Sequence, residues 1–192
     1  MTESHEFLSA YKDVFVESQI RHPDKNENVY SVTLVEDDRS AKLKKVSIYN
    51  VPKDSVLLSL RSINLGNALK NILRNDLDVF KCCDYLLVSA IDTGINMVFI
   101  EMKSKTFDSG EVENQLKGAA CFNQYILAVM KHFYDKSYLD SIKSHRMLIY
   151  GRGFSKRSTG STRKSYLLSL KLPRCNVGNV ENADIPYDKL LQ

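Results

Sequence analysis

Two short apolar runs separated by a turn set the strongest constraint on how this chain folds. Leu86, Leu87 and Val88 form the first run, Val98, Phe99 and Ile100 the second, and Asp92, Thr93 and Gly94 lie between them. Uninterrupted apolar runs of this length, bounded by turn residues, are the pattern of strands buried on both faces. Each run carries charge at its end away from the turn: Asp84 opens the first, and Glu101 and Lys103 follow the second. A buried strand can end in Glu-x-Lys only where those side chains leave the core, because burying an unpaired charge is costly. Alternation places Glu101 and Lys103 on one face of their strand and Met102 on the other. If the two strands pair as a hairpin, Asp84 and Glu101 become neighbours, and two carboxylates and a lysine converge at one edge. Taken alone, Glu-x-Lys is equally an exposed ion pair at a strand end; the placement of Asp84 and the run leading into Glu101 favour a site.

Two carboxylates so placed suit Mg²⁺ or Mn²⁺, which take oxygen ligands and leave room for waters and a phosphate oxygen. A metal there polarises a phosphoryl oxygen and lowers the pKa of a bound water, while a lysine orients that water or steadies developing charge. Asp84, then after a turn Glu101-Met102-Lys103, resembles the PD-(D/E)xK nuclease superfamily, with its restriction-endonuclease-like and RecB-like members. The resemblance covers about residues 65–150, less than half of the chain. It implies an α/β fold whose core is a central mixed sheet flanked by helices. It also implies a metal held by Asp84, Glu101 and the carbonyl of Met102, with Lys103 acting on the attacking water. Gln115-Leu116-Lys117-Gly118-Ala119 resembles the segment in which a RecB-like glutamine reaches toward the metal; Gln115 is equally readable as an exposed helical side chain. The sequence departs from the pattern twice. The expected helix over residues 62–74 holds no Asp or Glu, leaving Asn67, Asn71, Asp76 or Asp78 as substitutes, and one core strand before the second helix is not evident.

The remaining segments frame this centre. Apolar spacing (Phe7, Leu8, Tyr11, Val14, Phe15) predicts a helix over 6–20, and residues 24–28 read as a loop. Alternation predicts strands over 29–35 and 43–49 joined by a polar turn at Glu36, Asp37 and Asp38, a hairpin with no chemistry in it. Residues 56–60 are apolar. Asp108, with Glu111 three residues later, has the spacing of a helix cap, and the helix it opens runs over 111–133. Residues 138–142 read as a short helix, 145–150 as a core strand and 166–172 as a last strand. Residues 176–192 read as a loosely structured tail with Tyr187, Leu190 and Leu191 docking. The domain reading is therefore an N-terminal helix and β-hairpin extension (1–55), a nuclease-like core (56–175) and a C-terminal tail (176–192).

Composition enters through charge and cysteine. A net charge of +4 permits a nucleic-acid partner without requiring one, so the distribution matters more. The clearest shift is the segment 151–165, where Arg152, Lys156, Arg157, Arg163 and Lys164 stand among Gly, Ser and Thr with no acidic residue. Such a segment supplies charge and hydrogen bonds for phosphates, although a basic loop is also a common solubilising feature. The four cysteines, Cys82, Cys83, Cys121 and Cys175, show neither C-x-x-C spacing nor a companion histidine, which predicts reduced thiols. With no signal-like or membrane-length apolar run, the expectation is a soluble cytoplasmic protein with no membrane partner. The expected function is a metal-dependent nuclease, DNA favoured over RNA, in anti-phage defence or restriction or in DNA repair. It would act as a homodimer or with a partner protein. The alternative is a catalytically idle nucleic-acid-binding or partner-binding module.

Overall fold

The computed structural model describes residues 2–61, 81–104, 107–134, 141–151, 173–178 and 180–192. In chain order its elements begin with α1 (Glu3–Asp13), β1 (Ile20–Arg21), β2 (Asp24–Asn26), β3 (Val29–Val35), β4 (Lys45–Tyr49) and β5 (Ser55–Ser59). They continue with β6 (Tyr85–Ile91), β7 (Gly94–Lys103), α2 (Ser109–Phe133), β8 (Ile142–Gly151), β9 (Arg174–Gly178) and β10 (Asn182–Pro186). A 3-10 turn, Tyr187–Leu191, closes the chain. The expected helix over 62–74, the basic segment from Arg152 to Lys164 and the expected strand over 166–172 lie outside the described residues.

Among the described residues the strands form two mixed sheets, one of six strands in the order β1-β5-β6-β7-β8-β9 and one of four in the order β10-β4-β3-β2. The fold is α/β. Side-chain alternation explains the layering. Val56 and Leu58 of β5, Leu86 and Val88 of β6, and Met97 and Phe99 of β7 face α1 and α2 in one core. Leu57, Leu87, Val98 and Ile100 face the opposite way, onto Val32, Leu34, Val46 and Ile48 of the four-stranded sheet. The central strands are thus apolar on both faces because helices cover one and a second sheet the other. Sequence reading expected helices to flank the sheet. Among the described residues both helices lie on one face, and the expected N-terminal hairpin belongs to the sheet that covers the other.

The β6–β7 hairpin is in the expected register, from Ile91↔Gly94 to Tyr85↔Ile100. Gly94 is required at its tip: φ is +132°, and a Cβ there would collide with the carbonyl of Ser141. α2 carries the chain across to β8, which pairs parallel with β7, as parallel pairing requires a crossover. Asp108 caps α2, its Oδ1 accepting from Gly110 N at 2.7 Å and Glu111 N at 3.2 Å. The third antiparallel strand of the central sheet is β5, from the segment read only as apolar.

Four expectations are corrected. The first helix ends at Asp13 rather than near residue 20, because Ile20 and Arg21 leave it to pair with Leu58 and Leu57 of β5. The segment read as a loop at 24–28 forms β2 against β3, with Glu27 turning at φ 52°. The tail is ordered: β10 lies parallel to β4 over five paired residues, and Tyr187 and Leu190 are buried as the docking reading anticipated. The strand expected at 145–150 extends over Ile142–Gly151, so Ile142, read as the end of a short helix, begins a strand instead. No helix among the described residues is long and apolar enough to cross a membrane.

One buried polar link ties α1 to α2. Tyr11 Oη donates to Asn123 Oδ1 at 2.6 Å, and Asn123 Nδ2 donates to Met97 Sδ at 3.2 Å. Asn123 is only 1% exposed, so removing its donor leaves an amide oxygen dry and unsatisfied. Tyr11→Phe is therefore expected to lower stability by roughly 1–3 kcal/mol in urea denaturation, without change in the m-value.

Candidate active site

At its far end from the turn, the β6–β7 ladder changes character. The last paired residues are Tyr85 and Ile100. One step further, side chains replace backbone groups. Glu101 Oε2 accepts from Asp84 N at 3.1 Å, and Asp84 Oδ2 accepts from Met102 N at 2.7 Å. Asp84 is 8% exposed and Glu101 1%. The expectation that the two carboxylates lie side by side is met, and each is fixed by the strand opposite it.

Two cations complete the arrangement. Lys103 Nζ stands 2.6 Å from Glu101 Oε1, with Lys103 on the Glu101 face of β7 as alternation requires. Arg61, just beyond β5, donates from Nε to Asp84 Oδ1 at 2.5 Å. Its two terminal nitrogens donate to Glu36 Oε1 and Oε2, both at 2.9 Å. Glu36 follows β3, and the end of β3 is itself held by Tyr85, whose Oη donates to Val35 O at 2.6 Å and accepts from Val35 N at 3.0 Å. The Arg61 guanidinium lies over the same Tyr85 ring, 5.6 Å from its centre. Three strand ends and both sheets thus meet at Asp84.

A cleft of about 360 Å³ opens over these groups, lined by Glu36, Asp38, Arg61, Asp84, Glu101, Met102, Lys103, Ser104 and Gln115. Gln115, in the second turn of α2, lines this cleft, and its Oε1 is buried without a hydrogen-bond partner among the described residues. The sequence candidates Asp84, Glu101, Met102, Lys103 and Gln115 therefore share one cleft. Arg61 and Glu36 were missed, and the acidic turn was read as free of chemistry. A signal for both exists: Glu36 directly follows the alternating run at 29–35, and Arg61 directly follows the apolar run at 56–60. A charge at the end of a buried run is the same mark that singled out Lys103.

Electrostatics at the site are unbalanced. Among the described residues four carboxylates line the cleft (Glu36, Asp38, Asp84, Glu101) against two cations (Arg61, Lys103), a formal charge of −2 for that set when all are ionised. Burial, and next the charge of Asp84, push the Glu101 carboxyl up to about 7, with Lys103 pulling the other way. Burial alone would lower the Arg61 guanidinium, but its hydrogen bonds and charge pairing with Asp84 and Glu36 outweigh this and raise it above its ordinary value. Burial and the nearby charges of Glu101 and Asp84 raise the Cys83 thiol well above its usual range, so Cys83 is packing rather than a nucleophile. All four cysteines are unpaired thiols.

The donor set fits a hard divalent cation on two counts: carboxylate oxygens of Asp84 and Glu101 adjoin in the cleft, and Gln115 of its lining has a buried amide oxygen without a partner among the described residues. Among the described residues no group of three or more His, Cys, Asp or Glu forms a metal cage. A site of two carboxylates completed by water and substrate is consistent with that. The chain matches no family model, and comparison with curated proteins and with solved structures finds no match.

The raised Glu101 carboxyl has a consequence for stability. Between pH 4.5, the ordinary value, and about 7, the folded chain holds a proton there that the unfolded chain has released. This contribution is therefore full below pH 4.5 and is lost as pH rises through about 7. Glu101→Gln is expected to remove that slope and to raise Tm at about pH 8, by roughly 2–4 °C for each kcal/mol gained. Calorimetry on both proteins at about pH 5 and about pH 8 checks this; an unchanged slope would mean Glu101 titrates normally.

Proposed function

We propose that the cleft is the active site of a metal-dependent nuclease that hydrolyses phosphodiester bonds, with DNA as the favoured substrate. The observation that carries this reading is the meeting of Asp84, Glu101, Lys103 and Gln115 in one cleft at a strand end. The likeness to PD-(D/E)xK nucleases seen in the sequence adds to it, and the order of antiparallel β5, β6 and β7, then α2, then parallel β8 supports that likeness. Charge supports it from a separate direction. Among the described residues the cleft carries more carboxylates than cations, so a bound cation would ease the entry of a phosphodiester.

Asp84 and Glu101 would hold Mg²⁺ or Mn²⁺, with Met102 and Gln115 at its border. When bound, the ion would polarise the phosphoryl oxygen and acidify a water. Glu101 must be ionised to hold the ion, so cation and proton compete there and cation affinity is expected to strengthen as pH rises through about 7. Lys103 is the group placed to act on water. Its ammonium is anchored on Glu101 and its side chain is 23% exposed, so it spans from the buried carboxylate to the solvent in the cleft. There it orients the attacking water and steadies negative charge on the phosphoryl oxygens as the water oxygen bonds to phosphorus and the ester oxygen leaves. Arg152, Lys156, Arg157, Arg163 and Lys164 would grip the backbone through charge. Restriction or anti-phage defence and DNA repair are the settings the resemblance suggests, with a second copy or a partner protein supplying the other strand's cut or the trigger.

One observation favours a second reading, a binding module with an idle site. Arg61 and Lys103 already pair with Asp84 and Glu101, so the carboxylates are neutralised without a metal.

Cleavage assays on supercoiled plasmid, linear duplex, single-stranded DNA and RNA, in Mg²⁺ or Mn²⁺ and in chelator, separate the two. Lys103→Ala is expected to lower metal-dependent cutting at least about a hundredfold while leaving the melting curve and nucleic-acid affinity nearly unchanged. Binding that is equal in chelator, with no cutting on any substrate, would establish the module instead. Changing Lys156, Arg157, Arg163 and Lys164 together to alanine is expected to weaken binding and flatten its salt dependence in fluorescence-anisotropy titrations. Unchanged affinity would remove that segment from the reading.

A further inference from the structure

Arg61 lies in the cleft but takes no part in the chemistry described above. We propose that Arg61 is the phosphate-contacting residue of the site, and that its ion pair with Asp84 makes cation binding and phosphate binding mutually dependent. The proposal rests on the nuclease reading and deepens it.

The geometry of the guanidinium carries it. Glu36 grips both terminal nitrogens at 2.9 Å, Nε reaches Asp84 Oδ1 at 2.5 Å, and the plane is backed by the Tyr85 ring. An arginine held this way is oriented before any ligand arrives; with its fork filled by Glu36, the contact it can exchange for a phosphate oxygen is the one from Nε to Asp84. Lys103 offers a point charge held on Glu101, and among the described residues it has no second carboxylate to keep it oriented during such an exchange.

The second strand of the argument is competition. Arg61 already places a positive charge on Asp84 Oδ1, the carboxylate proposed to hold the metal. While it stays there, a divalent cation meets both a repelling charge and an oxygen partly taken up by a donor. A phosphodiester oxygen that draws Arg61 toward itself loosens its hold on Asp84 and frees that oxygen for the cation. The cation in turn offsets the carboxylates that would otherwise repel the phosphate. Each ligand therefore strengthens the other, and by thermodynamic reciprocity the two effects are equal in size. Without substrate the site stays closed by its own ion pair.

The test is calorimetric titration of Mn²⁺ into the full chain, with and without saturating thymidine 3′,5′-bisphosphate as the phosphate probe. The wild-type protein is expected to bind Mn²⁺ on the order of tenfold more tightly with the bisphosphate present. Arg61→Met, which keeps an apolar stem over Tyr85, should bind Mn²⁺ on the order of tenfold more tightly by itself and gain little from the bisphosphate. Arg61→Lys keeps the charge without the fork; it should bind Mn²⁺ as weakly as wild type and also lose the coupling. That variant carries the test if Arg61→Met does not fold, as judged by circular dichroism. Asp84→Asn should abolish the Mn²⁺ heat, which identifies the site. Wild-type affinity that ignores the bisphosphate, or coupling that persists in full in either Arg61 variant, would overturn the role of Arg61 while leaving the nuclease reading in place. No Mn²⁺ binding in wild type or Arg61→Met, or binding that survives Asp84→Asn, would sink the nuclease reading itself.

Discussion

The site depends on how one ladder of hydrogen bonds ends. β6 and β7 exchange backbone bonds as far as Tyr85 and Ile100, and beyond that point Asp84 and Glu101 each use a carboxylate oxygen to accept the backbone N–H across from it. A strand end with unpaired donors facing a buried space is costly, and a carboxylate is a strong acceptor for an N–H there. These two side chains are consequently held by the same geometry that holds the sheet. Their separation and facing do not depend on loop conformation, which is the condition for a site that must keep two like charges together.

Packing fixes the depth of that pair. The hairpin is covered by α1 and α2 on one face and by the four-stranded sheet on the other, so its strand ends emerge into a narrow opening rather than onto a flat surface. Glu101 consequently has almost no contact with water, and its carboxyl is raised by burial before Asp84 adds to it. Lys103 reaches out of the opening because the alternation of β7 leaves it on the Glu101 side, one pleat further toward solvent. Gln115 arrives from above only because Asp108 starts α2 where it does, a few residues past the end of β7.

The part of this that could be read from sequence is the part that is local. The hairpin, its register and the pairing of Asp84 with Glu101 follow from two apolar runs and a turn between them. The α2 cap follows from Asp108 and Glu111. What could not be read depends on elements that meet only in three dimensions. Arg61 finds Asp84 across 23 residues and Glu36 across 25, and both contacts exist only because β5 lies beside β6 while β3 packs beneath it. The acidic turn, read as holding no chemistry, contributes Glu36 to an ion-pair network for the same reason. Likewise, residues 182–186 gave no strand signal of their own; Asn182, Asp184 and Pro186 are poor strand formers, and β10 forms because β4 offers it an edge.

Charge explains why the network takes the form it does. Two carboxylates this close repel, and burial makes each more expensive, so the fold must either protonate one or bring in positive charge. It does both: Glu101 is poised to keep a proton, and Arg61 and Lys103 each pair with one carboxylate. Neither remedy is free of strain, since Arg61 must also be shared with Glu36 and the cleft still carries more negative than positive groups. A structural ion pair alone would be served as well by one acid and one base, or by an apolar pair of the same volume. Here each of the two buried acids has its own cation, and the negative excess among the described residues sits with half-buried Glu36 and exposed Asp38, where water screens it.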